Sequence, residues 1–104
     1  MKSFDEKVYA IVKKVPRGKV TTYKKIGEKL GTKAYRAIGQ ALRRNPYAPK
    51  VPCHRVIRSD LSIGGFKGKT KGKFVNEKIK LLKKEGVEIK NNKVKKEFIL
   101  SSFS

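Results

Sequence analysis

Apolar positions recur at helical spacing in four stretches of the chain, and the residues between them are mostly charged or small. Phe4, Val8, Ile11, Val12 and Val15 share one helical face behind a capping box, Ser3 followed three residues on by Glu6. That spacing predicts a first helix from about Phe4 to Lys14, stopped by Pro16 and Gly18. Val20 and Thr21 read as a short extended link. Thr22 caps a second helix carrying Ile26 and Leu30, which Gly31 terminates. After the turn Gly31-Thr32-Lys33, a third helix carries Ala34, Ala37, Ile38, Ala41 and Leu42 inward until Asn45-Pro46 stops it.

Two short helices around a glycine turn make a helix-turn-helix pattern. The second of them would present Lys33, Arg36, Gln40, Arg43 and Arg44 on its polar side. Pro46, Pro49 and Pro52 mark the loop that follows. Val56, Ile57 and Ile63 around the turn Ser59-Asp60 predict a small hairpin or wing. Gly64, Gly65, Gly68 and Gly72 alternate with Lys67, Lys69, Lys71 and Lys73 in a basic, glycine-rich stretch. Its spacing is not that of a nucleotide phosphate loop, but its amides and lysines suit a DNA phosphate. A last helix uses Val75, Ile79 and Leu82 and stops at Gly86. Strands follow at Val87–Ile89 and Lys93–Leu100, joined by a turn at Asn91-Asn92. The pattern as a whole is α+β: a mainly helical, winged-helix-like domain with small β-hairpins.

Composition narrows the function. The 104 residues suit one domain, and 28 Lys+Arg against 8 Asp+Glu give a formal charge of +20. Such a surplus repels itself in a compact state unless a polyanion neutralises it. Nucleic acid is the favoured partner, with an anionic membrane surface second. No apolar run is long enough to span a membrane and no hydrophobic signal region opens the chain, so the expectation is a soluble, intracellular protein. One cysteine and one histidine cannot complete a four-ligand zinc site, so no metal is expected.

The candidate chemistry lies in Val51-Pro52-Cys53-His54-Arg55-Val56. A thiolate nucleophile needs a base and a positive field; His54 can supply the first, Arg55 and the lysine excess the second. Neighbouring residues on an extended segment point opposite ways, so a turn or a water relay is required to couple them. On residue chemistry alone, a lone cysteine is more often an inert small hydrophobe.

Pro52-Cys53-His54-Arg55-Val56 resembles the active-site motif of the O6-alkylguanine-DNA alkyltransferases. The resemblance extends upstream to Pro16-Arg17-Gly18-Lys19-Val20-Thr21-Thr22-Tyr23 and to the recognition-helix run from Tyr35 to Asn45-Pro46. Downstream it includes Gly64-Gly65-Phe66 and Leu81-Leu82-Lys83-Lys84-Glu85-Gly86. It implies that Cys53 takes the alkyl group irreversibly, that His54 deprotonates it through a water, and that Glu85 orients the imidazole. Tyr23 would hydrogen-bond or protonate the leaving guanine and displace its phosphate. Arg36 would fill the duplex gap left by a flipped base, a step that suits an atom unreachable inside the stack. Thr22, Lys33, Gln40, Arg43 and Arg44 would contact DNA, and Asn45 would tie a hinge to the active-site turn. Pro52, Val56, Gly65, Phe66 and Lys67 would line the alkylguanine pocket.

The implied partner is double-stranded DNA containing O6-alkylguanine, met in a nucleoid-associated or nuclear setting by a monomer that needs no cofactor. Phe66 stands where many members have tyrosine, and Lys67 and Lys69 replace small residues. The family's usual N-terminal domain is not recognisable here, which resembles the short alkyltransferase-like proteins. Those bind alkylated guanine without repairing it, recruit other repair proteins, and typically lack the cysteine. A lesion sensor is therefore the alternative, and a plain winged-helix DNA-binding protein the third reading.

Overall fold

The computed structural model describes residues 3–47, 50–64 and 73–100. Its order is helix α1 (Phe4–Val12), strand β1 (Thr21–Thr22), helices α2 (Tyr23–Leu30) and α3 (Tyr35–Arg43), and a 3-10 turn at Cys53–Arg55. Strand β2 (Val56–Ile57), helix α4 (Lys73–Lys84), strands β3 (Ile89–Lys90) and β4 (Lys93–Val94), and a 3-10 turn at Lys96–Phe98 complete it.

α1 starts at the capping box, with the Glu6 N–H donating to Ser3 Oγ at 3.2 Å. It ends earlier than the sequence predicts, because Lys14 and Val15 close tighter turns onto Ile11 and Val12. Val8, Ile11, Val12 and Val15 face inward. Tyr9 fastens α1 to α3 by donating its hydroxyl to Ala41 O at 2.7 Å.

The helix-turn-helix follows its local signals. Thr22 Oγ1 accepts from the Lys25 N–H at 3.1 Å, and Gly31, left-handed at φ 73°, ends α2. Gly27 is required for the close approach of α3: a Cβ there would lie 2.6 Å from Thr32 O and from a Tyr35 ring carbon. Ile38, Ala41 and Leu42 are buried as expected, but Ala34 and Ala37 are exposed. Ala34 precedes the helix instead of lying on its inner face, and Lys33 stands in the turn, its carbonyl accepting from Tyr35 N at 2.8 Å.

The expected hairpin of Val56 and Ile57 with Ile63 does not form. β2 instead pairs in parallel with β1, Thr21 opposite Val56 and Thr22 opposite Ile57. Both apolar residues of β2 are fully buried, one in each of two apolar clusters. A strand apolar on both faces belongs inside a parallel pair, whereas a hairpin wing would alternate. Leu61 and Ile63 bond across to Val94 and Asn92, so the Arg58–Ser62 turn joins the β3–β4 side. β3 and β4 form the expected antiparallel hairpin, with Asn91 and Asn92 at positive φ in its turn. The strand predicted to Leu100 is cut short, because Lys96–Phe98 coils into a 3-10 turn that lets Ile99 bridge to Val20.

Candidate functional site

The site is built where the two apolar clusters meet, at the turn between Pro52 and β2. Cys53, His54 and Arg55 form one 3-10 turn, closed by Arg55 N donating to Pro52 O at 2.9 Å. The tight winding replaces the extended geometry that would have thrown neighbouring side chains to opposite sides. Asn45, half-buried after α3, donates Nδ2 to Val51 O at 2.8 Å, while its Oδ1 accepts from Tyr47 N at 2.9 Å. The end of α3 is thereby tied to the segment that leads into Cys53.

Cys53 is partly exposed and carries a free thiol. His54 is 5% exposed, and its Nε2 lies 3.0 Å from Glu85 Oε2. The same carboxylate is gripped bidentately by Arg55, Nε to Oε1 at 2.9 Å and Nη2 to Oε2 at 2.7 Å. The third arm of that guanidinium, Nη1, donates to Val15 O at 2.9 Å. Arg55 is therefore not a source of free positive field: its charge is spent on Glu85, and it holds the residue that holds the histidine. Bidentate pairs of this kind fix orientation as well as charge.

Burial pushes the His54 pKa below its ordinary value, with the Glu85 bond working against that shift. Burial would raise Glu85, but the hydrogen bonds from Arg55 and His54 outweigh it and hold the carboxyl lower than usual. At neutral pH the pair is thus a neutral imidazole on an ionised carboxylate. Since a carboxylate only accepts, Nε2 carries the proton and Nδ1 presents a lone pair.

Lys78, on α4, is a member of the site that sequence reasoning missed. Its side chain is buried, and Nζ donates to Val56 O and Ile63 O, both at 2.7 Å. Burial pushes its pKa down to about 7, and the neighbourhood of Cys53 opposes that. A lysine among lysines on an amphipathic helix gives no sequence signal. The only clue is that it falls between Val75 and Leu82 on the apolar side.

Tyr23 opens α2 half-buried, its phenol pKa raised chiefly by burial, so it keeps its proton at neutral pH. Thr22 is buried as the helix cap, not open to solvent. Lys33, Arg36, Gln40 and Arg43 are exposed. Arg44 is exposed too, but it is occupied by Asp5, with two hydrogen bonds of 2.9 Å. Of the residues expected to line a pocket, Pro52 is buried beside the turn and Val56 is sealed wholly into the apolar cluster. Gly65, Phe66 and Lys67, with Lys69, lie outside the described residues. Among the described residues, no three His, Cys, Asp or Glu come together as a metal group, and no helix is long and apolar enough to cross a membrane.

Comparison with known proteins gives this arrangement a family. The family described as "6-O-methylguanine DNA methyltransferase, DNA binding domain" matches residues 3–87. The methylated-DNA–protein-cysteine methyltransferase of Pyrobaculum aerophilum is 49% identical over 72 residues, 69% of this chain and 45% of that protein. The O6-methylguanine-DNA methyltransferase structure from Pyrococcus kodakaraensis superposes with a TM-score of 0.70 at 42% identity, covering 84% of this chain and 48% of that one. Schizosaccharomyces pombe Atl1, solved with damaged DNA containing O6-carboxymethylguanine, gives a TM-score of 0.81 at 31% identity over 98% of this chain and 100% of its own. The chain spans half or less of the length of the curated relatives it matches. With its helix-turn-helix and its Cys-His turn inside the matched span, the chain belongs to the family of 6-O-methylguanine DNA methyltransferase DNA-binding domains.

Proposed function

We propose that the protein removes the alkyl group from O6-alkylguanine in duplex DNA by transferring it once, irreversibly, to Cys53. The observation that carries this reading is the chain from buried His54 through Glu85 to Arg55, both half-buried, beside a partly exposed thiol. His54 Nδ1 takes the thiol proton through a water, and Glu85 fixes the tautomer that leaves this nitrogen free. The thiolate sulfur then bonds to the alkyl carbon as the carbon–O6 bond breaks. The guanine leaves with the bonding pair, and the Tyr23 phenol hydrogen-bonds or protonates it. Arg36 fills the gap in the stack, with Lys33, Gln40 and Arg43 on the backbone. The extruded base would lie against the Cys53–Arg55 turn, beside Pro52. No step calls for a cofactor.

The likeness to Atl1 over its entire chain favours a second reading, a sensor that binds alkylated guanine and recruits other repair proteins. Intact mass separates the two. After mixing with duplex DNA carrying one O6-methylguanine, transfer adds one methyl group, mapped to Cys53, and Cys53→Ala binds the duplex without gaining mass. An unchanged wild-type mass with persistent binding means a sensor.

A further inference from the structure

Arg58 stands apart from the arginines already placed. β1 and β2 run in parallel register, Thr22 opposite Ile57, so Tyr23 and Arg58 are the next residues at the two carboxyl ends. The Arg58 backbone is pinned by its own turn, its N–H donating to Ser62 O at 3.0 Å and its carbonyl accepting from Leu61 N at 2.9 Å. Its aliphatic stem lies across Gly64, where a Cβ would meet Arg58 Cγ at 3.2 Å; Gly64 is left-handed at φ 73°. The stem is thus seated against Gly64, while the residue remains exposed.

Its guanidinium, unlike those of Arg44 and Arg55, makes no hydrogen bond or ion pair among the described residues. Asp60 lies within reach of its charge but spends Oδ1 on Ser62, accepting from N at 3.0 Å and Oγ at 2.6 Å. The Arg58 charge also acts on the Tyr23 phenol and on Lys78. A free guanidinium fork, fixed at its base and set beside a phenol that keeps its proton, matches the oxygens of a phosphodiester.

We infer that Arg58 binds the DNA backbone phosphate beside the extruded nucleotide, next to Tyr23, and so positions the alkylated base at Cys53. This rests on the reading of the site as one that acts on duplex DNA. Arg58 is a positioning residue, since a phosphate is not among the reacting atoms. It acts on the strand that carries the lesion, from the β1–β2 ends, while α3 acts from the helix-turn-helix.

The test compares wild type, Arg58→Ala and Arg58→Lys. Affinity for a duplex carrying one O6-methylguanine is measured across a salt series. Single-turnover methylation of Cys53 is measured with that duplex and with free O6-methylguanine base. The alanine variant is expected to lower the slope of log K against log salt by about 0.9, one phosphate contact. It should slow transfer from the duplex roughly tenfold, as expected for one charged hydrogen-bonded contact. Transfer from the free base, which has no phosphate, should be unchanged, and the lysine variant should keep the wild-type salt slope. An unchanged slope in the alanine variant overturns the inference, and so does an equal loss with duplex and free base. If wild type itself transfers nothing, the proposed reaction falls while the salt slope still decides the role of Arg58.

Discussion

Between Thr22 and Arg43, the contacts that start, turn and stop the helices are short in sequence: Thr22 Oγ1 accepts from Lys25 N, Thr32 N bonds back to Gly27 O, and Thr32 Oγ1 accepts from Ala34 N. Around Cys53 the contacts reach far. His54 and Arg55 find Glu85 at separations of 31 and 30 residues, and Arg55 finds Val15 at 40. The first region is a surface built by local rules, basic outside and apolar inside. The second is a buried polar network whose members have no meaning until the chain has closed. A local element loses one cap or one contact when a residue changes. A buried network loses the partner of a charge, which costs far more.

That contrast is open to measurement. Arg55→Met leaves the Glu85 carboxylate buried without its cation and should destabilise the fold by about 3–5 kcal/mol in denaturant titrations. The double variant Arg55→Met/Glu85→Met should recover much of that loss, since no charge is then left behind; the cycle measures the coupling. A cost below that of a single helix cap would erase the distinction between the regions. Gly27→Ala tests the tightest point of the local region. The new Cβ presses on Thr32 O and the Tyr35 ring, with an expected loss of about 1–3 kcal/mol by thermal melting. Thr22→Ala removes the cap of α2 and should cost about 1 kcal/mol, leaving the methylation rate of the folded fraction near wild type.

The pH response gives the gentlest probe. Burial holds the His54 pKa under 6.5, so the folded state takes up its proton later than the unfolded chain as pH falls. Stability should therefore decline as pH drops from 6.5 toward the folded pKa. Glu85 has a folded pKa below 4.5, and the stability it contributes above that value is lost as pH falls through the folded one. Single-turnover transfer should fall as pH drops through the folded His54 pKa, where the imidazole in the native site stops being a base, before the contribution of Glu85 is lost. Transfer that holds steady while His54 titrates by NMR would remove the imidazole from the reaction.

The difference between the regions also governs what could be read in advance. The capping box, Thr22, Gly31 and Asn45-Pro46 all speak through neighbours a few residues away, and the helices they delimit are found within a few residues of their expected ends. The inward face of α3 was legible for Ile38, Ala41 and Leu42 but not for Ala34 and Ala37, because alanine is as much at home outside a helix as inside. Val56-Ile57 misled because two apolar residues fit either a wing or a buried strand. Only the sealing of each side chain into a different cluster decides between them.

The order of residues along the chain was enough to specify the helix-turn-helix, the +20 charge that demands an anionic partner, and the Cys53-His54 pair with the resemblance it carries. Those properties depend on composition and on spacing within one or two turns. Folding alone brought Glu85, Arg55 and Val15 around His54, buried Lys78 between two carbonyls, and set Arg58 beside Tyr23 at the ends of a parallel pair. The reason is physical: a lysine or arginine looks the same along the chain whether it is hydrated, paired or buried. Which of these it becomes depends on the dielectric and the partners that only the packed chain supplies.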